Sequence, residues 1–215
     1  MNENLFETQK NLTRKEKIRE FYDKNKKLIF SFFTILVIFF IIINFYIENK
    51  KNDRILLSEN YIQAKVLIEN NSKEKAEEIL REVISSNDST YSTLSLFLLL
   101  DENLIDDEKE LLQLFDYVLE NCEFDKNIEN LVILKKSIFQ SSFAKEDELL
   151  NTLKPLLSEE TLWKPHALLL IGDYYLSNYE KQKAKEFYIE ILSLKNLDNE
   201  FYNRATMQLG IINNE

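Results

Sequence analysis

Leu168 to Ile191 read LLLIGDYYLSNYEKQKAKEFYIEI. Leu168, Ile171, Gly172 and Tyr175 recur at three- and four-residue spacing, which places them on one face of a helix. Ala184, Tyr188 and Ile191 do the same on a second helix. Gly172 and Ala184 are 12 residues apart. Two small residues at facing positions let the helices approach closely, and Tyr175 and Tyr188 fill the groove beside them. Helices are expected at 161–177 and 181–194.

Working outward, the same offsets recur. Ala64 and Ala76 are also 12 apart, with Leu80 and Val83 in the following positions. Leu99, Leu111, Phe115 and Val118 keep the spacing without small residues. Leu209-Gly210 begins a further copy and closes the array. The positions resemble the tetratricopeptide repeat, in which Leu-Gly, Tyr, Ala, an aromatic and a final small residue occupy fixed places. Ala64, Ala76, Leu80, Gly172, Tyr175, Ala184, Tyr188 and Gly210 carry that signature. The resemblance implies an all-α fold, an α-solenoid of helix pairs. An irregular all-α domain is the competing reading, and the register between 90 and 160 stays open. Further helices are expected at 55–69, through Ala76–Ile84 with Ser72 as N-cap, and at 90–102, 107–121, 128–142, 147–157 and 199–213. No segment alternates with period two, so no strand is expected.

Toward the N-terminus the pattern changes. Residues 28–47 read LIFSFFTILVIFFIIINFYI, without a charge and with only Ser31, Thr34 and Asn44 polar. As a helix this segment is ~30 Å long, the thickness of a bilayer's hydrocarbon core. It reads as an uncleaved membrane anchor, with Leu28, Phe33, Leu36, Phe40, Ile43 and Ile47 facing lipid and Phe45 and Tyr46 at the interface. A cleaved signal peptide is disfavoured by length and by the absence of a small-x-small site, and a buried core helix by the lack of any polar face. Lys10, Arg14, Lys15, Lys17, Arg19, Lys24, Lys26 and Lys27 precede it, while only Lys50, Lys51 and Arg54 follow closely. The positive-inside rule keeps the N-terminus in the cytoplasm. The layout is therefore a basic cytoplasmic tail (1–27), a transmembrane helix (28–47) and a translocated helical-repeat domain (48–215). In the tail, Leu12, Ile18, Phe21 and Tyr22 form a loose apolar stripe. A short amphipathic helix and a solvated topogenic segment both fit it.

Charge divides at the same place. The chain of 215 residues has net charge −10. Residues 1–47 carry eight basic and five acidic side chains, and residues 48–215 carry 19 and 32. A domain of net −13 does not neutralise phosphates, so nucleic acid is not an expected partner, and it is repelled by anionic lipid. Its charge serves solubility or attracts basic clients. Two glycines exclude a phosphate loop; one cysteine excludes an internal disulfide and a cysteine-based zinc site; one histidine excludes any site needing two.

Candidate chemistry is sparse. His166 follows Pro165 near a helix start and reads as a surface or cap residue, with no partner indicated for catalysis. Cys122 lies beside Glu120 and Glu123, whose charges raise a thiol pKa; pairing between chains is the alternative. The acidic runs Asp106-Asp107-Glu108-Glu110, Glu146-Asp147-Glu148 and Glu159-Glu160 fall where helices begin and complement helix dipoles. None has the alternation of a calcium loop. The aromatics Tyr174, Tyr175, Tyr179, Phe187, Tyr188, Phe201 and Tyr202 read as helix-pair core, or in part as a groove for a peptide, with Tyr174, Tyr179, Tyr202 and Arg204 as its lining and Asn203 beside them. No catalytic, cofactor-binding or metal-ligating residue is assigned, and an enzyme is not expected.

Lys26-Lys27, the anchor, Tyr61-Ala64 with Ala76-Leu80, the stretch Leu156, Trp163, Ala167, Leu170, Gly172, and Arg204-Ala205 occur in a telling order. The whole is similar to the tetratricopeptide-like membrane proteins that are ancillary subunits of the bacterial SecYEG translocon. The middle unit departs from that family's pattern because it lacks the small residues. The resemblance implies a scaffold in the bacterial inner membrane with a periplasmic C-terminal domain. Its implied partners are translocon subunits, chaperones and exported chains. A tethered scaffold for envelope assembly or cell division is the alternative.

Overall fold

The computed structural model describes residues 3–157 and 161–214, with the side chains of 3–15, 29, 33 and 214 outside the description. The Lys10, Leu12, Arg14, Lys15 and Phe33 side chains and the Glu159-Glu160 pair named above therefore lie outside the described residues. The described residues are all-helical, without a strand. In order the helices are α1 (Glu3–Glu69), α2 (Lys73–Ile84), α3 (Tyr91–Asp101), α4 (Glu108–Asn121), α5 (Lys126–Gln140), α6 (Glu146–Leu157), α7 (Lys164–Ser177), α8 (Lys181–Ser193) and α9 (Asn199–Asn214). The chain divides into two units, Met1–Leu56 and Leu57–Glu215.

The first unit is a single helical run. It contains neither Gly nor Pro, so no residue interrupts the hydrogen-bond ladder. The tail is helical from Glu3, and Ile18, Phe21 and Tyr22 of its apolar stripe are exposed. The helix expected to begin near residue 55 is instead the end of α1. The connecting residues Glu48-Asn49-Lys50-Lys51-Asn52-Asp53-Arg54 are polar but hold no helix breaker.

In the second unit the observed helix ends fall within three residues of those expected from sequence. Asp107 caps α4 by accepting from the Lys109 and Glu110 amides at 2.8 and 3.4 Å. Asp125 caps α5 in the same way, which starts that helix two residues earlier than its apolar pattern does. Pro165 sits in the first turn of α7, where its missing N–H costs nothing. Ser72 departs from expectation: its side chain makes no capping bond. Its amide is committed to the preceding helix, donating to the Leu67 carbonyl at 2.8 Å. With Asn71 at φ 58°, this closes α1 in a Schellman motif. Asn103 ends α3 and Tyr179 ends α7 by the same geometry.

Successive helices pack on one another from α2 to α9, and α7 also touches α5 and α9. Two apolar cores result. One gathers Ala64, Ala76, Leu80, Leu96, Leu99, Phe115 and Val132. The other gathers Leu134, Leu149, Leu153, Ile171, Tyr188 and Ala205. Helix α5 serves both, with Val132 in the first core and Ile133 and Leu134 in the second.

Candidate functional site

The apolar helix comes first. Phe30–Glu69 contains a stretch long and apolar enough to cross a membrane, and none of that stretch is buried. Leu28, Leu36, Phe40 and Ile47 are exposed and Ile43 is half-buried. Its polar residues turn back on the backbone. The Thr34 hydroxyl donates to the Phe30 carbonyl and the Asn44 amide to the Phe40 carbonyl, each at 2.9 Å.

The positions expected to form repeats lie in the second unit, and the internal ones are buried. Ala64, Ala76, Leu80 and Val83, then Leu99, Leu111, Phe115 and Val118, then Gly172, Ala184, Tyr188 and Ile191 are inside. Tyr175 is inside as well. Gly172 shows why a small residue stands there. A Cβ at that position would lie 2.6 Å from Cε1 of Tyr188, closer than carbon atoms approach. The final position is different: a Cβ on Gly210 would meet nothing within 4 Å. Gly210 therefore contributes no close helix contact, because no described helix lies over it.

Two polar ties bind this end of the protein. Asp173 on α7 accepts from the Tyr188 hydroxyl of α8 at 2.7 Å. From α9 it also accepts Arg204 Nη2 and Gln208 Nε2, both at 3.3 Å. Burial and then the bond to Asp173 push the Tyr188 phenol far above its ordinary range. Glu146, in the first turn of α6, accepts from the Tyr175 hydroxyl at 2.7 Å and from Lys183 Nζ at 3.1 Å. Lys183 also lies 4.8 Å from the Tyr175 ring centroid. The Tyr175 hydroxyl bond, then Lys183, holds Glu146 below its usual range. Burial and that same bond push Tyr175 up to about 12. These groups are satisfied by one another, so the arrangement fixes helices in place.

The four residues expected to line a partner groove do not form one cluster. The Tyr174 hydroxyl donates to the Ala144 carbonyl at 3.2 Å, and its ring meets Tyr175. Arg204 is engaged by Asp173. Tyr202 is half-exposed in the first turn of α9. Tyr179 is 89% exposed at the C-terminal end of α7. The start of α9 lies by the start of α7, since Phe201 packs on His166 at 4.6 Å. Helix α7 is ~20 Å long at 14 residues, so Tyr179 and Tyr202 stand at opposite ends of it.

No family model, curated protein or solved structure matches the chain. Function therefore rests on its own residues.

His166 lies in the first turn of α7. It is half-buried between Trp163 and Phe201, and burial pulls its imidazole below the ordinary value. Cys122 is buried, 8% exposed at the end of α4. Burial is the main cause that raises its thiol, with Ser92 opposing and Asp88 adding; Glu120 and Glu123 are not the source. A thiol so covered does not pair between folded chains. Among the described residues no group of three or more His, Cys, Asp or Glu side chains could hold a metal ion. Sequence reasoning missed the two polar ties. Their partners lie 15 to 37 residues apart, and no local periodicity joins them.

Proposed function

We propose that the chain is a membrane-tethered scaffold whose second unit is a tetratricopeptide-like solenoid of helix pairs binding protein partners. The observation that carries the reading is a helical stretch long and apolar enough to cross a membrane and buried nowhere. Lipid satisfies such a surface, and water does not. The excess of lysine and arginine before it supports an N-terminus in the cytoplasm and a second unit outside. The repeat reading is supported by the buried small positions Ala64, Ala76, Gly172 and Ala184 and by the close seat of Tyr188 on Gly172. By residue order, the scaffold is ancillary to the protein-export translocon of a bacterial inner membrane and holds chaperones or exported chains at its exit. Tethering acts by raising the local concentration of the partner, without any covalent step.

A reporter fused after Glu215 tests the topology: activity only outside the cytoplasm is expected, and cytoplasmic activity overturns the reading. Photo-crosslinkers at Phe40 and at Tyr202 test the partner. Translocon subunits or exported chains are the expected adducts. Cell-wall or division proteins in their place would transfer the scaffold to envelope assembly.

A further inference from the structure

The chain has one histidine and one tryptophan, and they are neighbours at the start of α7. The Trp163 and His166 ring centroids lie 5.3 Å apart. His166 also meets the Phe201 ring of α9, edge to face at 4.6 Å. Its Nδ1 is shut off from solvent and makes no hydrogen bond. The imidazole thus joins the first turn of α7 to the first turn of α9 through ring contact.

Helix α9 is lightly held. Among its described residues only Ala205 is buried. Phe201, Leu209 and Ile212 are partly buried against the C-terminal core. Arg204 and Gln208 reach Asp173, each at 3.3 Å. Beside Phe201 opens a cleft of about 680 Å³, whose walls include Leu162, Pro165, Leu194 and Leu197. The Phe201 ring therefore has open space beside it into which it can leave His166.

We propose that His166 is a proton-operated latch: neutral, it seats the start of α9 on the start of α7, and protonated, it lets α9 go. A neutral imidazole is at ease among apolar rings. The cation has an N–H on both nitrogens, and the one on Nδ1 would be buried without an acceptor. The groups around the ring do not reverse that cost. Burial opposes the charge most; the Leu162 backbone and Glu200 favour it, and Arg204 opposes it. Arg204 is itself engaged by Asp173, and Lys164 of α7 is paired with Glu190 of α8 at 3.5 Å. Released, His166 takes its proton near the ordinary 6.5; seated, it takes it only at lower pH. The seat is therefore firm above 6.5 and weakens as pH falls through the lower value. Histidine is the side chain whose ordinary titration lies in this window, and the chain has one. Release uncovers Leu209, Ile212 and the apolar seat beneath them, so the apolar surface of this end becomes a function of pH. The inference goes beyond the scaffold reading and does not depend on it.

The test uses the full chain in detergent micelles. Amide protection, corrected for the intrinsic exchange rate, and Trp163 emission are followed from about pH 7.5 down to about pH 5. In the wild type the α9 amides are expected to lose protection over this range while those of α3 and α4 keep theirs. Trp163 emission is expected to change with the same midpoint. His166→Gln and His166→Phe take no proton there, and the loss in α9 is expected to vanish in whichever of them seats α9 at neutral pH. Unchanging protection of α9 in the wild type overturns the latch. So does a loss that persists in both variants, which would assign it to carboxylates. Loss through all helices at once is global unfolding and overturns it too.

Discussion

The pairs α7–α8 and α3–α4 place residues at the same offsets and pack them by opposite means. In α7–α8, Gly172 and Ala184 are small, and the Tyr188 ring lies against the glycine. In α3–α4, Leu99 and Leu111 stand at those positions, and both are buried. Helix α3 packs more extensively on α2 than on α4. The connections differ as well. Gly172 lies seven residues before the left-handed Tyr179 and Ala64 seven before the left-handed Asn71, but Leu99 lies only four before Asn103. The same spacing can thus be met by closing a gap or by filling it. Only the first has a signature that a sequence displays.

That contrast can be broken from either side. The largest effect is expected from Leu99→Ala, which opens a cavity in the α1–α5 core and costs about 2–5 kcal/mol in chemical denaturation. Removing bulk from α3 should therefore hurt where α7 has none to remove. The converse is Gly172→Ala. The added methyl meets the Tyr188 ring, which cannot swing freely while its hydroxyl is held by Asp173. We expect a net loss of about 1–2 kcal/mol after the roughly 1 kcal/mol gain in helix propensity. A stabilised Gly172→Ala would mean that the ring yields and that close approach is not required.

Tyr188→Phe keeps the ring and deletes the tie. It should cost about 1–2 kcal/mol, because Asp173 retains Arg204 and Gln208 but loses its shortest donor. Alkaline titration probes the neighbouring tie. Tyr175 ionises near 10 when unfolded and near about 12 when folded, so its contribution is whole below pH 10 and fades as pH rises toward 12. Hydrogen exchange should show α7–α8 loosening across that window while α3–α4, which has no such tie, lags. At the acid end Glu146 acts in the opposite sense. Its depressed pKa stabilises above the ordinary carboxylate range and is lost as pH falls through the folded value. The smallest effect is expected at Tyr179. It is a bulky residue at φ 63°, where the equivalent caps have Asn71 and Asn103. Tyr179→Asn should gain about 0.5–1 kcal/mol, read as a modest rise in Tm. A loss instead would show that the exposed ring has a contact of its own.

Helix positions and the apolar span were legible because both are local. Leu80, Val83 and Ile84 recur at helical spacing, and residues 28–47 contain no charge. The buried register of Ala64 with Ala76 and of Gly172 with Ala184 was legible for the same reason. The rest was not, on identifiable grounds. Residues 48–54 look like a break because they are polar, yet polarity does not end a helix that lacks Gly and Pro. Ser72 looks like a cap, but its backbone, at φ −95° and ψ 56°, is outside the extended geometry of a capping residue, and its hydroxyl makes no capping bond. The aromatic residues near the C-terminus look like one cluster, and Tyr179 and Tyr202 are separated only once α7 and α9 lie side by side. Glu146 gave its position at a helix start but not its bond to Lys183, 37 residues on.

Helix α5 belongs to two cores at once, Val132 on one side and Leu134 on the other. A helix so placed has no private stability. Opening the C-terminal core strips one of its faces, opening the N-terminal core strips the other, and it unfolds fully only when both are gone. Its backbone amides should accordingly be the last in the second unit to exchange with solvent. Through it, each half of the second unit raises the cost of unravelling the other, which makes the unit more cooperative than helices that touch only their neighbours in sequence.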